Sequence, residues 1–217
     1  IPTTVQFSFW FTAVLIGLIG GIFAQPQKLL VWVAIVFVSV LIHELGHAFA
    51  MIRYGLRPEI TLHSMGGMTS GHGMNRLDRP RRIFISFAGP LAGFVFYGLI
   101  WGSQQLLPDA GFLTRPTNPV EDTLAFAVLQ LEWVNLWWGV FNLLPVLPLD
   151  GGHILEDVMG PRRQRLAMMV SLGFGVVGAV AALAFGRHFI AIVLGMCAIG
   201  TYQRYRTHAA PVTKVMP

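Results

Sequence analysis

The chain has 217 residues, 54% of them hydrophobic and 12% charged. Soluble domains carry about 25% charged residues, so this composition suits lipid better than water. The formal charge of +5 does not indicate nucleic acid, because the basic residues flank apolar blocks instead of forming one patch. Cys197 is the one cysteine, which excludes an internal disulfide and a cysteine-rich metal site, and its apolar surroundings mark it as a small packing residue.

The expected fold class is an all-α polytopic membrane protein forming one membrane-embedded domain over residues 1–217. Six spans are predicted, at about 7–24, 29–54, 82–107, 123–157, 165–186 and 188–204, from apolar blocks near the 20 residues a bilayer requires. The first block lacks a basic leading segment and a small-residue cleavage site, so it reads as a span and not a signal peptide. Between the second and third spans, residues 56–80 are polar and Gly-rich, too short for an inserted globular domain. A small sheet or hairpin dipping towards the membrane fits that length, and irregular backbone at such depth is tolerated only beside protein or a wet cavity. The fourth span is too long for one straight helix and is interrupted by Pro145 and Pro148. With the N-terminus inside, twelve Lys and Arg fall on the inner side: Arg53, Arg57, Arg76, Arg79, Arg81, Arg82, Arg162, Arg163, Arg165, Arg204, Arg206 and Lys214. Lys28, Arg115 and Arg187 fall outside, so the bias puts both termini in the cytoplasm.

His43-Glu44-Leu45-Gly46-His47 lies within the second span. On a helix, residues four apart share a face, so His43 and His47 can reach one ion, with Glu44 about 100° round from His43. Two imidazoles on zinc with a carboxylate base beside it form the chemistry of a metallohydrolase. Ionisable groups at this depth are costly and usually functional. A catalytic zinc needs a third protein ligand, and the other acids at membrane depth are Glu132 and Asp150. Asp150 ends Asn142-Leu143-Leu144-Pro145-Val146-Leu147-Pro148-Leu149-Asp150, followed by Gly151-Gly152, whose prolines break the helix and whose glycines permit close approach.

The pair of motifs, with the small-residue stretch Ala88-Gly89-Pro90-Leu91-Ala92-Gly93 on the third span, resembles the site-2 protease family of intramembrane zinc metalloproteases. The likeness covers about residues 29–160, with C-terminal helices at about 165–204, and it lacks a PDZ-sized insertion, as in the compact members. The resemblance implies one Zn2+ per chain held by His43, His47 and Asp150, with Glu44 as general base. Asn142 would donate to the substrate carbonyl or developing oxyanion. It also implies an endopeptidase acting in regulated intramembrane proteolysis, embedded in the lipid bilayer and cutting single-span or membrane-tethered proteins within or next to their transmembrane segment. These include transcription regulators, anti-sigma or sigma factors and signal-peptide remnants, in a prokaryotic cytoplasmic membrane. Substrate contacts are expected at Gly66, Gly67, Met68 and Thr69, where a strand edge could pair with an unwound substrate, and at Pro145 and Pro148.

The remaining polar residues carry less. His153, His63, His72, His188 and His208 read mainly as structural, solvated or interfacial, with an auxiliary metal or gating role open for His63 and His72. Trp133, Trp137 and Trp138 read as lipid-facing or packing residues. The rival function is a membrane metal transporter using the same His and Asp residues, which calls for ionisable groups spread through several spans. A different metalloprotease family would use a downstream Glu, for which Glu156 is available.

Overall fold

The computed structural model of the chain describes residues 1–106 and 110–209. Lys214, one of the twelve inner-side cations, lies outside the described residues, as does the end of the predicted third span at 107. The elements run β1 (Thr3–Val5), α1 (Phe7–Ile19), α2 (Pro26–Arg53), β2 (Pro58–His63), β3 (Gly66–Gly71), α3 (Arg79–Leu106), α4 (Pro119–Asn142), α5 (Asp150–Met159), α6 (Gln164–Ala184) and α7 (His188–Ala209).

The chain is mostly helical, and the small β element expected between the second and third spans belongs to one three-stranded sheet. Among the described residues four stretches are long and apolar enough to cross a membrane: Pro26–Arg53, Arg79–Leu106, Pro119–Asn142 and Pro161–Ala184. The predicted first span is shorter than expected, because α1 stops after 13 residues at Gly20-Gly21. Thirteen residues reach about 20 Å, against roughly 30 Å of hydrocarbon. The predicted fourth span divides into α4 and α5, because the prolines at 145 and 148 stop the first helix and a second begins at Asp150. With these spans, the chain is an integral membrane protein.

The described residues form two units. The first contains Ile1–Leu77 and Phe87–Phe141. Here Pro26 starts α2 at a position where a missing N–H costs nothing, and Asn118 Oδ1 caps α4 by accepting from the Val120 and Glu121 amides at 3.1 and 3.0 Å. Trp32 Nε1–H donates to the Ala13 carbonyl at 2.9 Å, tying α1 to α2. In β2, Pro58, Ile60 and Leu62 are buried while Glu59 is exposed, the alternation of a half-buried strand. Ile60 and Leu62 pack with Phe9, Val40 and Ala48, so the sheet is fastened to α2 just beside His43 and His47.

β2 is the central strand, parallel to β1 (Thr3 opposite Ile60, Val5 opposite Leu62) and antiparallel to β3 (Pro58 opposite Gly71, His63 opposite Gly66). The expected strand element between the second and third spans is therefore present, with β1 added from the N-terminus. β3 is an edge strand of the sheet.

The second unit contains Asp78–Ser86 and the described residues from Asn142 onward. Arg82 Nη2 and Nε meet Asp157 Oδ1 at 2.5 and 2.8 Å, joining the start of α3 to α5. Arg204 on α7 pairs with Glu156 on α5 at 3.1 Å. α6 and α7 pack along each other, with Gly178 opposite Leu194 and Gly175 opposite Ala198.

Candidate metal centre and active site

α2 carries His43, Glu44 and His47 into the first unit's interior, where they are 3%, 4% and 7% exposed. The helical spacing brings the two imidazoles together edge to face, and their Nε2 atoms converge to 3.2 Å. The candidate ligand atoms of all three residues lie within 4.8 Å of one another. Two Zn–N bonds of about 2.0–2.1 Å at a tetrahedral angle would set their nitrogens about 3.3 Å apart, so the imidazole pair fits a shared divalent ion. The same separation suits a hydrogen bond between one protonated and one bare ring nitrogen, and metal analysis distinguishes the two. Burying this trio at bilayer depth is costly, and a cation between the rings offsets that cost.

Two neighbouring segments hold the cluster in shape. α3 passes so close to His47 that a Cβ on Gly89 would overlap its Nε2 and Cε1, so any side chain there displaces the ring. This is the close helix approach expected of the 88–93 stretch. On the other side β3 lies across Glu44. A Cβ on Gly67 would overlap the Glu44 carboxylate, and Thr69 Oγ1 donates to Glu44 Oε2 at 2.7 Å, with the Glu44 carbonyl also 3.1 Å away. Trp138 closes the wall, its ring against Gly66 and 6.4 Å from the His43 ring.

Of the four β3 residues expected to contact substrate, Gly67 and Thr69 turn to Glu44, Gly66 is buried against Trp138, and Met68 is 54% exposed. A turn of α2 before His43, Ser39 Oγ accepts from Asn135 Nδ2 at 2.9 Å, and both residues are 1% exposed. Sequence reasoning passed over Ser39, Asn135 and the Thr69–Glu44 contact. The available signal was Ser39 at four residues from His43, on the same helical face.

The second unit holds the other motif. Asn142 ends α4, Pro145 and Pro148 lie in the irregular segment after it, and half-buried Asp150 is the first residue of α5. The positive end of the helix dipole favours a carboxylate there. Glu156, the alternative downstream acid, pairs instead with the Arg204 guanidinium at 3.1 Å and lies 3.8 Å from the His153 ring. Glu132 accepts from Gln104 Nε2 at 2.5 Å.

Two of the other histidines are exposed and a third lies in a turn. His63 Nδ1 accepts from the Met65 amide at 3.2 Å in the β2–β3 turn, while His72 and His188 are exposed. Trp133 and Trp137 are 57% and 51% exposed, as expected of lipid-facing side chains, whereas Trp138 packs on the site.

Comparison with known proteins follows the same lines. The model for Peptidase family M50 matches residues 31–129 and 117–184, a stretch that includes both motifs. A zinc metalloprotease from Methanocaldococcus jannaschii is 30% identical over 170 residues, 77% of this chain and 46% of that protein. The relative named Rip3 from Mycobacterium tuberculosis is 35% identical over 150 residues, 67% of this chain and 35% of its own length. The chain thus spans less than half the length of these two relatives. In fold it is similar to the solved site-2 protease from Methanocaldococcus jannaschii, with a TM-score of 0.63 at 23% identity over 99% of this chain and 94% of that one. From its match over both motifs, the chain belongs to Peptidase family M50.

Proposed function

We propose that this protein is a zinc-dependent intramembrane endopeptidase that cuts membrane-anchored proteins within or beside their spanning segment. The observation that carries this reading is the buried convergence of His43, Glu44 and His47 on a membrane helix, with their ligand atoms within 4.8 Å. His43 and His47 would hold one Zn2+, with Asp150 as third ligand and a position left for water. Zinc bound there supplies Lewis acidity and makes water more acidic near neutral pH.

Glu44 takes the proton as water adds to the scissile carbonyl carbon, then delivers it to the departing amine as the C–N bond breaks. Thr69 binds Oε2 of that carboxylate, which leaves Oε1 for the proton. Asn142 is a donor for the developing oxyanion. The edge of β3 suits a substrate strand unwound from its helix, since main-chain pairing gives affinity without sequence demands, and Pro145 and Pro148 would be further substrate contacts.

α1 and α7 complete six membrane helices in this reading, the bilayer thinning locally to match the 13-residue α1. Their apolar side chains face outward, with Phe7 82%, Ile19 67%, Ile192 61% and Ile199 60% exposed. The Lys and Arg bias favours cytoplasmic termini. The site lies in the cytoplasmic half, because His47 is six residues, about 9 Å of helix, from Arg53. Substrates are single-span or tethered proteins such as transcription regulators, anti-sigma or sigma factors and signal-peptide remnants.

The test is incubation of purified protein with a panel of single-span substrates, with and without a zinc chelator. Cleavage is expected only without chelator and is restored by zinc. Zinc transport into liposomes with no cleavage of any substrate would replace the protease reading with the transporter.

A further inference from the structure

In the second unit, the segment between α4 and α5 is irregular backbone that is buried at Val146 and Leu147, where each unsatisfied amide or carbonyl is costly. Leu147, 3% exposed, sits in its middle, and both its polar backbone groups are met by side chains from the C-terminal helices. The Leu147 amide donates to Ser171 Oγ on α6 at 2.7 Å. Thr201 Oγ1 on α7 lies 3.2 Å from the Leu147 carbonyl and 2.8 Å from the Cys197 carbonyl, its one proton shared between them. Ser171 and Thr201 are 0% and 3% exposed, so neither hydroxyl has water as a substitute partner.

Leu147 is in turn packed directly beneath the start of α5. A Cβ on Gly151 would overlap the Leu143 and Leu144 carbonyls, and one on Gly152 would come within 2.6 Å of the Leu147 amide nitrogen. The Gly152 and His153 amides both donate to the Leu149 carbonyl, at 2.9 and 3.2 Å, closing the first turn next to Asp150. Residues 143–152 therefore form one packed piece, held from two sides at Leu147 and presenting Asp150 three residues later.

We infer that α6 and α7 serve the site as positioning elements: Ser171 and Thr201 clamp Leu147 and thereby fix the direction of the Asp150 carboxylate. This rests on Asp150 being the third zinc ligand. It assigns work to a helix outside the matched family region, which ends at residue 184. Removing a hydroxyl from the clamp frees a buried backbone group, and the segment shifts to find another partner. A carboxylate ligand then loses its aim while the imidazole pair on α2 is untouched.

The experiment titrates zinc against a competing chelator in purified, detergent-solubilised Ser171→Ala, Thr201→Val, Thr201→Ser and Asp150→Ala, alongside kcat and KM. Ser171→Ala and Thr201→Val should each weaken zinc binding roughly tenfold, in the range seen for groups that orient metal ligands, and lower kcat with KM unchanged. Thr201→Ser keeps the hydroxyl and should stay near wild type, a rescue that general loosening of the helix pair would not give. If Ser171→Ala does not fold, the Thr201→Val and Thr201→Ser pair decides alone. Wild-type zinc affinity in both clamp variants, with zinc lost in Asp150→Ala, overturns the inference and leaves the ligand set standing. Equal damage from Thr201→Ser and Thr201→Val also overturns it. Full zinc affinity in Asp150→Ala removes the ligand assignment and the clamp's role with it.

Discussion

The contact between Thr69 and Glu44 gives the sharpest quantitative expectation. Thr69→Val replaces a hydroxyl with a methyl of nearly the same shape, so packing is preserved while the hydroxyl's hydrogen bonding to Glu44, at 2.7 Å to Oε2 and 3.1 Å to the carbonyl, is removed. Glu44 is 4% exposed, so water does not readily replace that donor. A hydrogen bond to a charged group contributes about 1.5–3 kcal/mol. At about 1.4 kcal/mol per decade, the corresponding loss in kcat is about ten- to a hundredfold if the bond steers the carboxylate towards the reacting water. The assay is steady-state cleavage of a single-span substrate in detergent, with zinc content measured on the same samples. The expected pattern is a lower kcat, unchanged KM, unchanged zinc, and recovery in Thr69→Ser. A rise in KM with kcat intact would make Thr69 a substrate contact, and an unchanged kcat in Thr69→Val would refute its role on Glu44.

Three further outcomes follow from close packing at the site. Gly67→Ala pushes a methyl into the Glu44 carboxylate and should cut cleavage at least tenfold with zinc still bound, as metal analysis and kinetics on one preparation would show. Gly89→Ala drives a methyl into His47 Nε2, so zinc affinity itself should fall, read by chelator competition. Asp157→Asn weakens the pair with Arg82, whose side chains are 16% and 26% exposed, and should cost about 1–3 kcal/mol, seen as a lower Tm without loss of bound zinc.

Much of the helical framework was legible because lipid imposes a simple rule: long uncharged blocks mark α2, α3, α4 and α6. The His43–His47 cluster was legible for a related reason, since ionisable residues inside such a block stand out. The first span misled because hydropathy does not register where the backbone turns, whereas the two prolines did mark the break in the fourth. Gly20-Gly21 ends α1 early, and Pro145 and Pro148 divide what composition presents as one segment. β1 left no trace, because Thr3-Thr4-Val5 is too short to show a period and forms only through parallel pairing with residues 57 positions on. Thr69 was noticed as part of a Gly-rich loop, but its partner, 25 residues away, depends on sheet register. Ser171 and Thr201 look like ordinary small residues in apolar helices, and their meaning appears only with Leu147 between them.

The central claim, that two imidazoles and one carboxylate jointly bind a catalytic zinc, is tested most directly by zinc stoichiometry in purified wild type, Glu44→Gln, His43→Ala and Asp150→Ala, paired with cleavage. One zinc per chain is expected in wild type and in inactive Glu44→Gln, with loss of metal and activity in the other two. Full occupancy with normal cleavage in Asp150→Ala would contradict the ligand set and turn attention to Glu132. Cleavage by Glu44→Gln at the wild-type rate would contradict the assigned base.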